Sequence, residues 1–490
     1  MRLADLMIEG VAPAPGQAPD GLACEIAGLT PDSRKVREGW LFAAIPGTQA
    51  DGARYIPDAL AAGASAVLTA DGVSLPGGFA AAHLTVPNPR RALALMAARF
   101  FAVQPETAVA VTGTNGKTSV AGFVRQIWEA LGVPAASVGT LGVIASGDPE
   151  PLPHTTPDAV VLHSVLAGLK ARGFEHVALE ASSHGLEQHR LDGVHVKAAA
   201  FTNLSRDHLD YHADEDAYLA AKLRLFTEVL AADGIAVLNA DAEAFGEVAE
   251  AARARGLTIL EVGRAGTGLR LAAQEPSVDG QAIAVEAGGK RYEIRLPLVG
   301  AFQASNVLLA AGLVMAAGAE ARDVLPCLEH LRGAPGRMEL VTRTASGAAV
   351  IVDYAHTPDA LRTVLQALRP HAQGKLAVVF GCGGDRDRGK RPEMGRVAAQ
   401  LADRVIVTDD NPRSEDPAAI RKEILNACPG AREIGDRAVA IEEAVRSLEQ
   451  GDVLVVAGKG HETGQIVGGT VHPFSDAQVV RTAAQESARV

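Results

Sequence analysis

The chain has 490 residues, of which 48% are hydrophobic and 21% charged, and its formal net charge is −12. At roughly 150 residues per domain, this length predicts about three globular domains with substantial cores. The acidic balance gives no basic footprint for nucleic-acid binding, and no apolar run reaches membrane-spanning length.

The cysteines Cys24, Cys327, Cys382 and Cys428 are far apart and lack any metal-binding spacing. We therefore expect reduced thiols rather than disulfides or a zinc site. The N-terminus lacks the basic segment and apolar core of a secretory signal, so we expect a cytoplasmic protein.

Residues 1–104 predict a first α/β domain, with strands at Leu41–Ile45 and Ala66–Thr69 and a helix around Ile56–Gly63. Two polar segments, Asp32–Arg34 and Gly47–Gly52, read as turns. On their own these turns favour solvated loops over binding sites.

Pro105 marks a linker to a second domain, residues 105–337, in which strands alternate with helical patterns. This alternation predicts a parallel sheet covered by helices. The strand Val109–Thr112 is followed by a segment typical of a phosphate-binding loop: Gly113, Thr114, Asn115, Gly116, Lys117, Thr118 and Ser119. The general pattern has a glycine where this chain has Val111, yet lysine and hydroxyls at a helix start favour nucleotide phosphate.

Polar groups follow later strands of this domain. Glu180 ends an apolar strand and is a candidate Mg²⁺ ligand, with a solvated loop carboxylate as the alternative. His208 and His212 are four residues apart, a spacing that could place them on one helical face. No third residue is spaced for zinc, so a role near phosphate or Mg²⁺, or a structural one, fits better.

Lys222 lies in a helical pattern, where an exposed lysine is the ordinary interpretation. The alternative is a partly buried amine with a lowered pKa that reacts with CO₂ to form a carbamate.

Residues 338–490 restart the βα alternation and predict a Rossmann-like, doubly wound domain. Polar clusters follow its strands at Asp353–His356, Gly381–Arg388, Asp409–Arg413 and Gly458–Glu462. Ligands bind at the carboxyl ends of such strands, and arginine suits carboxylate capture. The glycine spacing at Gly381–Gly384 is wrong for a dinucleotide fingerprint, which disfavours a nicotinamide dehydrogenase.

Together these stretches resemble the Mur ligase family over nearly the whole chain. The resemblance is carried by Gly113–Thr118, Glu180–Gly185, Thr202–His212, Gly336–Glu339 and Asp353–Thr357. It implies three α/β domains: an N-terminal UDP-binding domain, a central P-loop ATPase with a parallel sheet, and the C-terminal doubly wound domain, which brings the amino acid.

The resemblance also implies roles for individual residues. The phosphate loop with Asn306 and Arg337 would bind ATP, and Mg²⁺ would be held by Thr118, Glu180, His208 and a carbamylated Lys222. Lys117, His208 and Lys222 would be catalytic. The UDP-sugar and its peptide arm would contact Ser33, Thr48, Gln49, Ala50, Thr155, Thr156, Ser182, Gln188 and Arg190. His154 departs from the asparagine expected before the two threonines.

The Asp410-Asn411-Pro412-Arg413 segment resembles the motif of those members that add meso-2,6-diaminopimelate to UDP-MurNAc-L-Ala-D-Glu. Arg386, Gly458 and Glu462 would complete that amino-acid site. The implied enzyme is an ATP- and Mg²⁺-dependent ligase that works through an acyl phosphate and domain closure, and we expect a monomer without membrane insertion. Lysine-adding and folylpolyglutamate-type ligases, and a P-loop regulator, remain alternatives.

Overall fold

The computed structural model describes residues 1–15, 22–47, 51–77, 80–147, 149–205, 211–277 and 280–487. Thr48, Gln49, Ala50 and His208 lie outside these ranges. The chain divides into two compact units. Unit 1 comprises Met1–Val262 and Leu309–Ala319, and unit 2 comprises Gly263–Leu308 and Glu320–Val490. Within the described ranges, no helix combines the length and apolarity needed to cross a bilayer.

The N-terminal part of unit 1 is a five-stranded sheet with strand order β1-β5-β4-β3-β2, in which only the β1–β5 pair is antiparallel among the described pairings. Its longest helix starts where Asn88 accepts a hydrogen bond from the Arg91 N–H and Pro89 takes the first helical position. The elements are α1 Leu3–Leu6, β1 Ala12–Pro13, β2 Gly28–Thr30, β3 Trp40–Ala43, α2 Ile56–Ala61, β4 Ala66–Ala70, β5 Ala82–Val86 and α3 Pro89–Phe101, with 3₁₀ turns at Ser33–Lys35 and Gly52–Tyr55.

The second sheet of unit 1 is built from β6 Thr107–Thr112, α4 Lys117–Ala130, β7 Ala135–Gly139, β8 Gly142–Ile144, α5 Ala159–Ala171, β9 His176–Glu180, α6 Ser183–Glu187, β10 Val196–Phe201, α7 Glu215–Arg224, a π-helical turn Leu225–Val229, β11 Leu230–Asn239, α8 Phe245–Ala254 and β12 Thr258–Gly263. Its order is β12-β11-β10-β6-β9-β7-β8, parallel except for β8. Every residue of β6 is buried between helix layers. This buried, mostly parallel sheet confirms the predicted βα alternation.

Unit 2 contains the antiparallel strands β13 Leu269–Ser277, β14 Gly280–Ala287 and β15 Lys290–Leu296. It continues with α9 Phe302–Ala316, whose C-terminal part belongs to unit 1, then α10 Ala321–Cys327 and a 3₁₀ turn Leu328–His330. The remaining elements are β16 Glu339–Arg343, β17 Ala349–Asp353, α11 Pro358–Leu368, the 3₁₀ turn Arg369–His371, β18 Leu376–Phe380, α12 Lys390–Leu401, β19 Arg404–Val407, α13 Pro417–Leu425, β20 Arg432–Glu433, α14 Arg437–Arg446, β21 Val453–Ala457, β22 Gly464–Val467, β23 Thr470–Pro473 and α15 Asp476–Ser487.

The six-stranded sheet of unit 2 has the order β16-β17-β21-β18-β19-β20 and is parallel except for β16. The four predicted polar clusters follow strands β17, β18, β19 and β21, and β22 pairs with β23 as a separate hairpin. Helices cover both faces, since one apolar cluster includes α11, α12 and α13 and another includes α14 and α15. The predicted polar clusters therefore follow the carboxyl ends of parallel strands, where such sheets bind ligands.

His371 joins two parts of unit 2. Its Nε2 accepts a hydrogen bond from the Gly300 N–H at 3.0 Å, and its Nδ1 lies 2.9 Å from the Ser277 carbonyl oxygen. These contacts tie the end of β13 and the segment before α9 to the turn after α11.

Candidate active site

The phosphate loop connects β6 to α4 as predicted. Gly116 caps α4 in the left-handed region at φ 88°, and Gly113 has φ 139°. A Cβ atom on Gly113 would overlap the Thr202 hydroxyl, so this position requires glycine. The Lys117 Nζ folds back onto the loop and donates to the carbonyl oxygens of Gly113 at 2.9 Å and Thr114 at 2.7 Å.

The segment after β10 braces this loop. The Asn115 N–H donates to the Asn203 Oδ1 at 3.0 Å, the Thr114 N–H to the Asn203 carbonyl oxygen at 2.8 Å, and the Thr202 hydroxyl to the Asn115 carbonyl oxygen at 2.6 Å. Sequence reasoning assigned no role to Thr202 or Asn203. The signal was available, because β10 lies beside β6 and both strands end at the same sheet edge.

Glu180 ends β9 and is 3% exposed, so the solvated-loop alternative is wrong. Its Oε2 accepts hydrogen bonds from the Thr118 hydroxyl at 2.9 Å and from the Thr140 hydroxyl at 3.1 Å. Its Oε1 accepts from the Thr140 N–H at 2.8 Å. Thr140, which follows β7, is a third residue of the candidate site to which sequence reasoning assigned no role.

Lys222 on α7 is 1% exposed, so the interpretation as an exposed helix lysine is wrong. Its Nζ donates to the Gly113 carbonyl oxygen at 2.8 Å and lies 4.2 Å from the centre of the Tyr218 ring. The Tyr218 hydroxyl donates to the Thr114 Oγ1 at 3.2 Å. An apolar helix face can bury this lysine because the backbone carbonyl and the aromatic ring receive its amine.

His212 lies in a bend before α7 and not in a helix. The prediction that it shares a helical face with His208 is therefore wrong. Its Nε2 is 3.0 Å from the Ser183 hydroxyl and its Nδ1 is 3.4 Å from Glu187. His212 therefore links both ends of α6 to the segment before α7. These contacts fit the alternative in which this histidine has a structural role.

The residues predicted to hold a peptide arm surround the end of β9. Thr156 donates to the Glu180 carbonyl oxygen at 2.7 Å and accepts from the Ser182 N–H at 3.0 Å. Arg190 donates to the Thr156 carbonyl oxygen at 2.5 Å and to Gln188 at 2.8 Å.

The Thr155 hydroxyl is 3.0 Å from that of Thr140, which connects the predicted peptide-arm residues to Glu180. Ser33 instead begins a 3₁₀ turn after β2, and His154 is exposed.

Two predicted nucleotide contacts belong to unit 2. Asn306 on α9 is 5% exposed and donates to Gln303 at 3.0 Å. The Arg337 guanidinium lies over the Tyr354 ring, 4.5 Å from its centre. Nearby, burial raises the pKa of the Asp353 carboxyl, although N–H groups of Met338 and Ala355 donate to it.

The predicted amino-acid residues of unit 2 form one connected cluster. Arg413 has φ 51°, and its guanidinium donates to the Gly384 carbonyl oxygen at 2.8 Å. The Gly384 N–H donates to the Asn411 carbonyl oxygen at 2.9 Å. A Cβ atom on Gly458, which has φ 116°, would lie 2.6 Å from an Asp410 carboxylate oxygen. Arg386 is exposed beside this cluster.

Glu415 holds the two loops of the cluster together. It accepts hydrogen bonds from Arg391 at 2.8 Å and Arg388 at 2.8 Å, and from the Asp385 N–H at 2.6 Å. These donors, Arg391 foremost, lower the pKa of the Glu415 carboxyl to about 2. The Asp385 carboxylate accepts from the Ser414 hydroxyl at 2.6 Å, which adds a second link.

Comparison with known proteins gives three consecutive matches along this chain. The Mur ligase family catalytic domain matches residues 25–101, the Mur ligase middle domain residues 111–314, and the Mur ligase glutamate ligase domain residues 336–460.

The UDP-N-acetylmuramoyl-L-alanyl-D-glutamate–2,6-diaminopimelate ligase of Caulobacter vibrioides is 58% identical over 462 residues, which are 92% of this chain and 94% of that protein. The chain belongs to the Mur ligase family. The ligase of the same name from Bradyrhizobium diazoefficiens is 54% identical and covers 99% of both chains. A solved structure of a ligase with this name matches 100% of both chains with 33% identity and a TM-score of 0.75.

The Mur ligase architecture confirms the predicted fold class of three α/β domains with mostly parallel sheets. The domain boundaries predicted at residues 104 and 337 remain predictions. The roles of individual site residues remain predictions as well.

Two buried cations of this Mur ligase had no predicted role. Lys459 is 0% exposed and donates to the Asn411 Oδ1 at 3.0 Å and the Glu462 Oε2 at 2.9 Å. Arg437 and Asp476 form a fully buried ion pair at 2.7 Å, and Arg437 also donates to the Ala457 carbonyl oxygen at 2.9 Å. A lysine between two glycines and an arginine at a helix start are both ordinarily exposed, so no local pattern indicated the burial of either side chain.

Proposed function

We propose that the chain is an ATP-dependent ligase that adds meso-2,6-diaminopimelate to the D-glutamate carboxylate of UDP-MurNAc-L-Ala-D-Glu. The observation that carries this proposal is the cluster of Arg413, Asn411 and Glu462 in a chain that also holds a phosphate loop beside Glu180. The curated relatives bear the name of this ligase. Such an enzyme would work as a cytoplasmic monomer in peptidoglycan precursor synthesis.

The first step would activate the D-glutamate carboxylate. A carboxylate oxygen attacks the γ-phosphorus of ATP, the bond to the β-phosphate oxygen breaks, and ADP and an acyl phosphate result. The Lys117 ammonium and the N–H groups at the start of α4 would stabilise the negative charge that moves between these oxygens. Asn306 and Arg337 would hold the nucleotide.

The donors near the loop fit Mg²⁺. Thr118 and Glu180 offer a hydroxyl and a carboxylate whose oxygens are 2.9 Å apart, and Mg²⁺ prefers oxygen ligands of this kind. His208 and a carbamylated Lys222 would complete the set. Bound there, Mg²⁺ would supply neutralisation of phosphate charge.

The second step would form the amide. A neutral amine of diaminopimelate attacks the acyl carbon, and the tetrahedral intermediate expels phosphate. Arg413 would bind the distal carboxylate of diaminopimelate, which lysine lacks. Asp410, Asn411, Pro412, Glu462, Gly458 and Arg386 would shape the rest of the amino-acid site, with Glu462 suited to an ammonium group.

The UDP-sugar would lie against Ser33 and the segment Thr48-Gln49-Ala50. Its peptide arm would be held by Thr155, Thr156, Ser182, Gln188 and Arg190, of which Thr156 contacts the main chain of Glu180. This placement would direct the D-glutamate carboxylate towards the phosphate loop.

The decisive experiment measures ADP formation by the purified chain with each substrate omitted in turn. We expect ADP only when ATP, UDP-MurNAc-L-Ala-D-Glu and meso-diaminopimelate are all present. Equal turnover with L-lysine would favour a lysine-adding ligase, and rapid ADP release with ATP alone would favour a P-loop ATPase of another kind.

A further inference from the structure

Lys459 lies at the centre of the amino-acid cluster but is sealed from solvent. It follows β21 in the segment Gly458–Glu462, is 0% exposed, and its Nζ bonds to side chains of Asn411 and Glu462. Because it is sealed, any effect of Lys459 on a bound amino acid acts through those two partners. We propose that Lys459 is the positioning residue that sets Asn411 and Glu462 for amino-acid binding. This inference rests on the proposed function.

Lys459 fixes which way the Asn411 amide faces. The Asn411 Oδ1 receives hydrogen bonds from the Lys459 Nζ at 3.0 Å and from the Ile466 N–H at 2.9 Å. Both groups only donate, so the atom between them must be the amide oxygen. The Asn411 Nδ2 is thereby directed to the Glu462 Oε2, 3.0 Å away.

Lys459 also supplies the counter-charge for Glu462. The Lys459 Nζ and the Asn411 Nδ2 both donate to the same Glu462 oxygen, Oε2. The Glu462 side chain keeps 34% of its surface exposed, whereas that of Lys459 has none. The buried side of the carboxylate is therefore held, and its outward oxygen can meet an ammonium group of the amino acid.

The same lysine connects segments that are far apart in the chain. Gln465 donates to the Asp410 carbonyl oxygen at 2.8 Å, and the Arg413 N–H donates to the Ile466 carbonyl oxygen at 3.0 Å. Strand β22 thus lines the Asp410–Arg413 loop, and Lys459 bridges that loop to Glu462. Losing the ammonium removes one of the two donors to the Asn411 Oδ1 and leaves Glu462 without its cation.

The test is Lys459→Met, which keeps the length of the side chain and removes its charge. We expect kcat/KM for meso-diaminopimelate to fall by at least about tenfold, mostly through KM, because buried polar partners are left unsatisfied. The KM values for ATP and for the UDP-linked dipeptide should stay within about twofold of wild type. Equal rises in all three KM values, or an unchanged KM for diaminopimelate, would overturn the proposal.

Lys422→Met is the matched control, since Lys422 is an exposed lysine on α13 of the same unit. It should leave all three KM values unchanged. Thermal unfolding of each variant shows whether it is folded. If Lys459→Met does not fold, Lys459→Gln replaces it, and a wild-type KM for diaminopimelate in folded Lys459→Gln would contradict the proposal.

A double-mutant cycle with Glu462→Gln separates positioning from general destabilisation. If Lys459 acts through Glu462, the double variant should lose little more than the worse single variant, whereas independent effects would multiply. Multiplicative losses would overturn the proposal. The wild type decides the proposed function separately, because it must first use diaminopimelate. If it uses another amino acid instead, the proposed function fails and the same variants are compared with that amino acid.

Discussion

The amine of Lys222 is almost completely buried, which is unusual for a lysine. Its Nζ meets the Gly113 carbonyl oxygen at 2.8 Å and the Tyr218 ring at 4.2 Å, so it lies directly behind the phosphate loop. A carbamate formed there from CO₂ would replace a cation by an anion beside the phosphate loop.

We predict that Lys222→Ala is inactive and that a small carboxylic acid such as acetate partly restores ADP formation, because a carboxylate can occupy the place of the carbamate. Lys197→Ala, which removes an exposed lysine of the same unit, should behave as wild type. Full activity of Lys222→Ala without added acid would contradict the carbamate hypothesis.

Arg413 provides the second prediction at the level of a single residue. Arg413→Ala should lower kcat/KM for meso-diaminopimelate, since it leaves the distal carboxylate unpaired. The expected loss of transition-state stabilisation is about 2–5 kcal/mol. The KM for ATP should not change. The control is Arg432→Ala on β20, an exposed residue of the same sheet. The measurement is steady-state ADP formation with diaminopimelate varied, and an unchanged preference for diaminopimelate over lysine would refute the assignment.

At the scale of elements, the proposed amino-acid site depends on two loops, Gly381–Arg388 and Asp409–Arg413, which Glu415 holds together. Its donors hold the pKa of the Glu415 carboxyl at about 2, compared with 4.5 ordinarily. A carboxyl whose pKa is lowered by folding stabilises the protein above its unfolded pKa, and this stabilisation is lost as pH falls towards the folded pKa.

We therefore predict that Glu415→Gln lowers the unfolding temperature at neutral pH, and that its difference from wild type shrinks as pH falls from 4.5 towards 2. Differential scanning calorimetry between pH 7 and pH 2 measures the unfolding temperatures of the variant and of the wild type. Glu449→Gln, an exposed carboxyl in the same unit, should show no such trend. A constant difference at every pH would mean that Glu415 contributes through its shape and not through its charge.

The strands and helices of this protein could be predicted well from the sequence. Apolar runs such as Leu376–Phe380 and Val453–Ala457 recur as buried strands because burial on both faces demands continuous apolar residues. The strand and helix around Gly113–Ser119 were predictable for the same reason.

Side-chain burial within the site was not predictable in this way. Lys222 and Lys459 are buried only because carbonyl, aromatic and carboxylate partners from distant segments surround them. The contacts of Asn203 with the phosphate loop likewise depend on which strands are neighbours. Local sequence carries neither kind of information.

For the whole molecule, the phosphate loop belongs to unit 1 and the amino-acid cluster to unit 2. The proposed reaction needs both, so we expect domain closure during turnover. The integrity of each unit then becomes a condition for catalysis. In unit 2 the buried His371 supports that integrity through Ser277 and Gly300.

We predict that His371→Ala lowers the free energy of unfolding by about 1–3 kcal/mol, because the Gly300 N–H and the Ser277 carbonyl lose their partner. Chemical denaturation of the full chain measures this. His472→Ala, at an exposed position on β23, is the control and should be neutral. Equal stability of the two variants would show that solvent or a rearranged backbone replaces the imidazole.

The buried pair of Arg437 and Asp476 gives α15 a genetic importance, although this helix carries none of the residues assigned to the reaction. A nonsense mutation that removes α15 would take away both the Asp476 carboxylate and the apolar residues of α15 that pack in one cluster with α14. Removal of one partner of a buried ion pair alone costs about 3–5 kcal/mol. Arg437 also bonds to Ala457, the residue before Gly458. Late truncations and C-terminal fusions that displace this helix should therefore behave as loss-of-function alleles, although every residue assigned to the reaction remains encoded.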